Sequence, residues 1–243
     1  ESFPLMDLHV HLTTNFTIDN LMEISKATKV QFGVVENPGG KVRDDATLSK
    51  YIDDLRPYPV YIGLQPMNPG WSQNFSKELI AELDYVLMDP QTVPMGNNFD
   101  ETLRIWNFDT YVDDTEFFME AYMKRYLEVI NNTEPITTLG WPLFLPVCIA
   151  RDYYKLWTKE RMDTIISALK AKKLNIEIND LAHTPHEEFL LMAKKEGLKF
   201  VFGSDTRDIK AGRLSYCKQI AAQCKLTKSD FYVPTRILPG QAS

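Results

Sequence analysis

The sequence predicts an α/β barrel, and three observations carry that prediction. Strand-like and helix-like segments alternate from one end of the chain to the other, in about seven β-α units with no linker-like break. The first strand carries Asp7-Leu8-His9-Val10-His11. The last is an apolar run, Phe200-Val201-Phe202, that stops at Gly203-Ser204-Asp205. In a closed barrel the first and last strands are neighbours, and functional residues lie where strands end. An open doubly wound sheet is the alternative, but it separates those strands and leaves the two motifs without a shared purpose.

The elements follow in order. Leu5 to Leu12 reads as the first strand; a period of two puts Asp7, His9 and His11 on one face, with Leu8 and Val10 on the other. Thr17 caps a helix running to Lys29, and Phe32 to Asn37 is the second strand, halted by Pro38-Gly39-Gly40. A helix from Ala46 to Leu55 leads to a third strand, Val60 to Gln65. Ser76 caps a helix to Leu83, and Tyr85 to Pro90 is the fourth strand. Asp114 to Ile130 is a long helix with an apolar stripe through Phe117, Phe118, Ala121, Tyr122, Tyr126 and Leu127. Thr137 to Pro142 is a weak fifth strand, followed by a helix from Lys159 to Lys172. Leu174 to Asn179 alternates as the sixth strand, and Pro185 opens a helix to Lys195. The Asp205 strand is the seventh, and a last helix spans Arg213 to Cys224.

Bulk properties fit a globular protein. The 243 residues are enough for one domain over residues 1–243, with 44% hydrophobic and 25% charged residues. A net charge of −6 argues against general nucleic-acid binding, which needs basic surface, but leaves room for a local cationic cluster that takes a small anionic substrate. Three cysteines, Cys148, Cys217 and Cys224, form no close metal-binding pair. No apolar run reaches the roughly 20 residues of a membrane span. The chain begins at Glu1 without methionine, which suits a trimmed chain or a mature form exported after signal removal; a cytoplasmic location is equally open. Oligomeric state is not readable.

Two imidazoles on one strand face are natural ligands for zinc, manganese or iron, and Asp205 can complete their site. Glu36 and Glu177 stand at strand ends where a general base can lie. His183 and His186 follow Glu177 and can reach over the mouth, or be polar residues at a helix start.

The arrangement resembles the PHP (polymerase and histidinol phosphatase) family of metal-dependent phosphoesterases along nearly the whole chain. Asp7-Leu8-His9-Val10-His11 matches the family's opening Asp-x-His-x-His, and Phe202-Gly203-Ser204-Asp205 its closing strand. The resemblance implies a distorted (β/α)7 TIM-like barrel and two or three metals. Other ligand positions depart from the family. Glu36-Asn37 stands where Asp-His is expected, Gln65 where a bridging glutamate is expected, and Asp89 is the polar residue nearest an expected histidine. Trp141 replaces the histidine of Gly-His-Pro, and Arg207 the histidine of Ser-Asp-x-His. An amide oxygen binds a divalent ion far less well than a carboxylate.

The resulting expectation is a hydrolase with a reduced, mononuclear centre. His9, His11 and Asp205 are its ligands, with Gln65 and Asp89 as further candidates. Asp205 or Glu36 takes a proton from water. Arg207, Asn37, Trp141 and Glu177 contact a small-molecule, anionic substrate. A barrel that has lost catalysis and binds a small anion or carbohydrate is the alternative from a different class. The wider amidohydrolase superfamily also opens on His-x-His, but it draws further histidines from middle strands, which here have none.

Overall fold

A computed structural model describes residues 3–241. Seven parallel strands pair in the order β1 (Met6–Val10), β2 (Gln31–Glu36), β3 (Val60–Leu64), β4 (Tyr85–Met88), β7 (Thr138–Leu139), β8 (Asn175–Asn179) and β9 (Phe200–Gly203). A small antiparallel hairpin, β5 (Thr92–Pro94) with β6 (Thr102–Arg104), follows β4. The helices are α1 (Ile18–Thr28), α2 (Asp45–Leu55), α3 (Lys77–Ile80), α4 (Thr115–Ile130), α5 (Tyr153–Leu156), α6 (Lys159–Lys172), α7 (Glu187–Lys195) and α8 (Ser215–Gln223). β1 and β9 close the ring through a single parallel bridge, Val10 to Thr206, with the His11 N–H donating to the Thr206 carbonyl at 2.9 Å. The barrel is therefore nearly closed, and the two sequence motifs meet at its seam.

Local chemistry explains the element ends. Thr17 and Asn20 form a reciprocal capping box at α1, and Asp44 and Thr47 form one at α2. Asp114 and Thr158 cap α4 and α6 by accepting from Phe117 and Arg161 N–H groups. The buried stripe of α4 runs through Phe118, Met119, Tyr122, Tyr126 and Val129, whereas Phe117 is exposed. The hairpin and the turns at residues 147–156 lack hydrophobic periodicity, so sequence patterning does not reveal them.

Two apolar clusters separate the inside of the barrel from its outside. Met6, Leu8, Val35, Tyr61, Tyr85, Leu87 and Val201 come from five strands and no helix, and with Leu238 they fill the lower interior. The larger cluster, with Val10, Phe32, Val34 and Ile62, packs strands against helices. Tyr85 crosses the interior and donates to the Leu8 carbonyl at 2.6 Å. Gly63 makes room for it: a Cβ there would lie 2.7 Å from the Tyr85 ring. Below, Arg236 pins the C-terminal tail to Asp84 at 2.8 Å and to the Val60 carbonyl at 2.6 Å. One end of the barrel is plugged, and the chemistry is left to the other.

β1 departs from strict alternation. Leu8 faces the interior while Val10 lies in the outer core, and the β1–β2 register shifts between Asp7 and Val10. Asp7 causes the shift. Its carboxylate accepts from the His9 N–H at 3.2 Å, and it also ties Ser204 and Gly212 N–H groups at 2.9 Å each. Asp7 thus does not share a face with His9 and His11 as the period of two predicts. The bulge turns both histidines inward while Asp7 staples the seam.

Candidate metal centre

His9 stands at the middle of the open end, fully buried. Its Nδ1 lies 2.5 Å from Glu177 Oε2. The other Glu177 oxygen accepts from the Trp141 backbone N–H at 3.1 Å and from Asn179 Nδ2 at 2.9 Å. Glu177 is itself fully buried, so it orients His9 and does not meet substrate as the sequence reading supposed. A carboxylate on one ring nitrogen fixes the imidazole and leaves Nε2 as the free donor atom.

Around that Nε2 lie His11 Nε2, Asp205 Oδ1 and Gln65 Oε1, each at 3.2 Å. His11 Nε2 is 3.7 Å from Asp205 Oδ1. Tetrahedral zinc with bonds of about 2 Å places its ligand atoms about 3.3 Å apart. His9, His11 and Asp205 form a metal-capable group whose ligand atoms all lie within 4.8 Å of one another. All three are the ligands that the sequence singled out; Gln65, its further candidate, offers a neutral oxygen beside them.

Asp205 is oriented as carefully as His9. Trp141 Nε1–H donates to its Oδ2 at 2.6 Å, which leaves Oδ1 toward the histidines. Both residues sit in the left-handed region, Trp141 at φ 44° and Asp205 at φ 54°. Such conformations cost roughly 1–3 kcal/mol each and gather at functional sites. Arg207 reaches the same carboxylate more loosely, with Nη1 3.5 Å from Oδ1, and is half exposed.

Charge follows from this packing. Burial opposes a cation at His9, but Asp205 and Glu177 outweigh it and lift its pKa to about 10. Burial, the His9 cation and Arg207 push His11 down to about 3. Burial also works against charge on Asp205, yet His9, His11, Trp141 and Arg207 hold its carboxyl below the usual range. Without metal the centre therefore holds one protonated histidine, one neutral histidine and one carboxylate.

The remaining predicted residues separate into two groups. Asn37 and Gln65 belong to the mouth: Asn37 Nδ2 donates to the Gln65 carbonyl at 2.9 Å and to Oε1 at 3.1 Å. Asp89 lies behind Gln65, whose Nε2 donates to it at 3.2 Å, and Gln91 Nε2 donates at 2.7 Å. Asp89 is outside the metal-capable group, and burial raises its carboxyl to about 7. Glu36 does not join the centre. It continues the outward row Phe32, Val34, Glu36 and lines a cavity beside α1 and α2 with Leu12 and Lys41. His183 stacks on Tyr216 with ring centroids 4.8 Å apart, and His186 packs against Tyr153 and Tyr154. Sequence reasoning missed the positioning roles of Glu177, Asn179 and the Trp141 indole; only their strand-end positions hinted at them.

No family model and no curated protein matches this chain. Among solved structures, it is similar to the histidinol phosphate phosphatase of Lactococcus lactis subsp. lactis Il1403, which was solved with zinc, L-histidinol and phosphate. The TM-score is 0.61 at 16% identity, over 93% of this chain and 94% of that one. A chain from archaeal ribonuclease P with mature tRNA aligns over 97% of this chain and 100% of its own, at 11% identity and a TM-score of 0.40, too low to bear on the fold. The first likeness agrees with the fold expected from the PHP resemblance, a distorted seven-stranded α/β barrel. Among the described residues no helix is long and apolar enough to cross a membrane.

Proposed function

We propose that this protein is a metal-dependent phosphoesterase with a single-ion centre, acting on a small anionic substrate. The observation that carries the reading is the convergence of His9 Nε2, His11 Nε2 and Asp205 Oδ1, 3.2 to 3.7 Å apart, with Gln65 Oε1 3.2 Å from His9 Nε2. When bound, a divalent ion there (zinc, manganese or iron) supplies the positive charge that activates water and polarises a phosphoryl oxygen. The chain's own residues do the rest. Glu177 and Trp141 hold the two donor side chains in place. Asp205, an ionised carboxylate at the mouth, accepts a proton from water. Arg207, half exposed beside Asp205, takes the substrate's anionic oxygens. Asn37 and the Trp141 ring edge border the space that the substrate enters.

The test is metal content by elemental mass spectrometry, as purified and after loading with zinc or manganese, followed by a phosphomonoester screen. About one equivalent with turnover supports the reading, and Arg207→Ala should then raise KM at least tenfold with a smaller change in kcat. Two equivalents would overturn the single-ion centre, and no metal under any loading would overturn the reading altogether. That last result would favour a binding-only barrel, for which the Arg207–Asp205 contact is the supporting observation: the guanidinium leans on the same oxygen that an ion would use.

Metal uptake should depend on pH in a defined sense. His9 is protonated up to about pH 10, so an ion must displace that proton; His11, held down to about 3, releases none at neutral pH. The apparent affinity should rise about tenfold per pH unit between pH 6 and 9. Calorimetry in buffers of different ionisation enthalpy should find about one proton released per ion at pH 7.

A further inference from the structure

Glu36 is the strand-end carboxylate that the metal centre leaves out, and the cavity that it lines has chemistry of its own. The walls come from the ends of β1 and β2 and from α1 and α2. The volume is about 500 Å3, inside the roughly 300–1,000 Å3 of small-molecule sites.

The charges on these walls fall into two kinds. Lys50 and Asp54 pair with each other along α2 at 2.6 Å and are both well exposed, so they neutralise each other at the surface. Glu36 and Lys41 are not matched in this way. Among the described residues neither side chain makes a hydrogen bond or an ion pair, and the two do not come within 4.0 Å of each other. Glu36 is half-buried, yet its oxygens are not closed off from solvent, so a ligand in the cavity can meet them. Burial raises its carboxyl above the ordinary value, and the more distant charges of Lys41 and Arg207 oppose the rise. A carboxylate withdrawn from water without a donor is costly, and a cation brought in from outside would offset that cost. Lys41 is exposed and offers its ammonium to an anion in the same cavity. Leu12, Ile18 and Tyr58, each half-buried, add apolar wall that is open to contact. A simple amine would leave Lys41 unused, and a simple carboxylate would leave Glu36 unpaired. An ammonium and a carboxylate carried on one carbon fill the gap between the two side chains and satisfy both.

We propose that this cavity binds a free α-amino acid with an apolar side chain. Its ammonium meets Glu36, its carboxylate meets Lys41, and its side chain lies against Leu12, Ile18 and Tyr58. Glu36 belongs to the outward row of β2, so the occupant is a second ligand and not the substrate of the metal centre. The site does not rest on the phosphoesterase reading.

Saturation-transfer NMR with L-leucine, L-methionine and L-phenylalanine tests it. Isoamylamine and 4-methylpentanoate, which are leucine without its carboxylate and without its amine, serve as the two half-ligands. The proteins are the wild type, Glu36→Gln, Lys41→Ala and His11→Ala. Saturable binding of at least one amino acid is expected in the wild type. Both half-ligands should bind roughly tenfold more weakly than leucine, and the amino acid should bind roughly tenfold more weakly to Glu36→Gln and Lys41→Ala, as loss of a hydrogen bond to a charged group implies. Binding should be unchanged in His11→Ala, because amino acids also chelate metal ions and this variant removes that route. Lys41 is exposed, so its replacement reports even if Glu36→Gln does not fold. No saturable binding of any of the three amino acids would overturn the proposal. So would equal binding of either half-ligand, unchanged binding in Lys41→Ala, or loss of binding in His11→Ala.

Discussion

His9→Ala should lose the metal and about 3 kcal/mol of stability, whereas His11→Ala should lose the metal alone. The two histidines are equivalent as donors, but their surroundings differ. His9 is the partner of the fully buried Glu177 at 2.5 Å and of Asp205 at 3.2 Å, with its pKa lifted to about 10. Removing it strands one Glu177 oxygen inside the barrel, and breaking a buried pair by deleting one partner costs roughly 3–5 kcal/mol. Glu177 keeps its bonds from Trp141 and Asn179, so the low end of that range applies. Burial and the His9 cation keep His11 neutral, so truncating it breaks no ion pair and removes only a neutral contact with His9 Nε2 at 3.2 Å. Urea unfolding of the metal-free proteins, with metal content measured in parallel, checks both halves. The pH dependence gives an independent sign. A histidine whose folded value lies above its unfolded value of about 6.5 stabilises fully below that pH, and the contribution is lost as pH rises toward 10. The stability gap between wild type and His9→Ala should therefore be widest near pH 6 and shrink steadily toward pH 10. Equal losses in the two variants, or a gap that widens with pH, would contradict the charge assignment.

The same residues show what the sequence makes legible. His9, His11 and Asp205 could be placed together because strand-end position in a closed barrel is a topological fact, and topology follows from the order of β-α units. The bulge in β1 could not be read. It depends on Asp7 binding Ser204 and Gly212, about 200 residues away in sequence, and no local pattern encodes that contact. Alternation in β2 separates Phe32, Val34 and Glu36 from Gly33, Val35 and Asn37, but it does not say which set faces inward. Only packing against Leu8 and Tyr85 decides that, and it sends Glu36 out and Asn37 in. The sequence assigns Trp141 to substrate contact. Its N–H on Asp205 gives it a positioning role that residue type alone does not announce.

Gln65→Glu should raise metal affinity at least tenfold while weakening the metal-free protein. In the wild type the Gln65 amide serves two neighbours at once: its oxygen faces His9 Nε2 at 3.2 Å, and its nitrogen donates to Asp89. A carboxylate keeps the first interaction, strengthens it with charge, and offers an ion an anionic oxygen in place of a neutral one. It keeps the second only if Asp89, already lifted to about 7 by burial, takes up a proton; otherwise two carboxylates face each other without solvent, where an unpaired buried polar group costs about 1–3 kcal/mol. The metal-free variant should unfold at lower urea, and saturating zinc or manganese should more than restore the loss, because an ion that binds only the folded state adds its binding free energy to stability. Stoichiometry should stay at one: Asn37, Trp141 and Arg207 give a second ion no anionic donors, and Asp89 lies beyond the shared centre. Titration calorimetry with elemental analysis decides. Unchanged affinity would place Gln65 outside the metal's reach, and two ions per chain would mean that this one amide is all that separates the barrel from a binuclear centre.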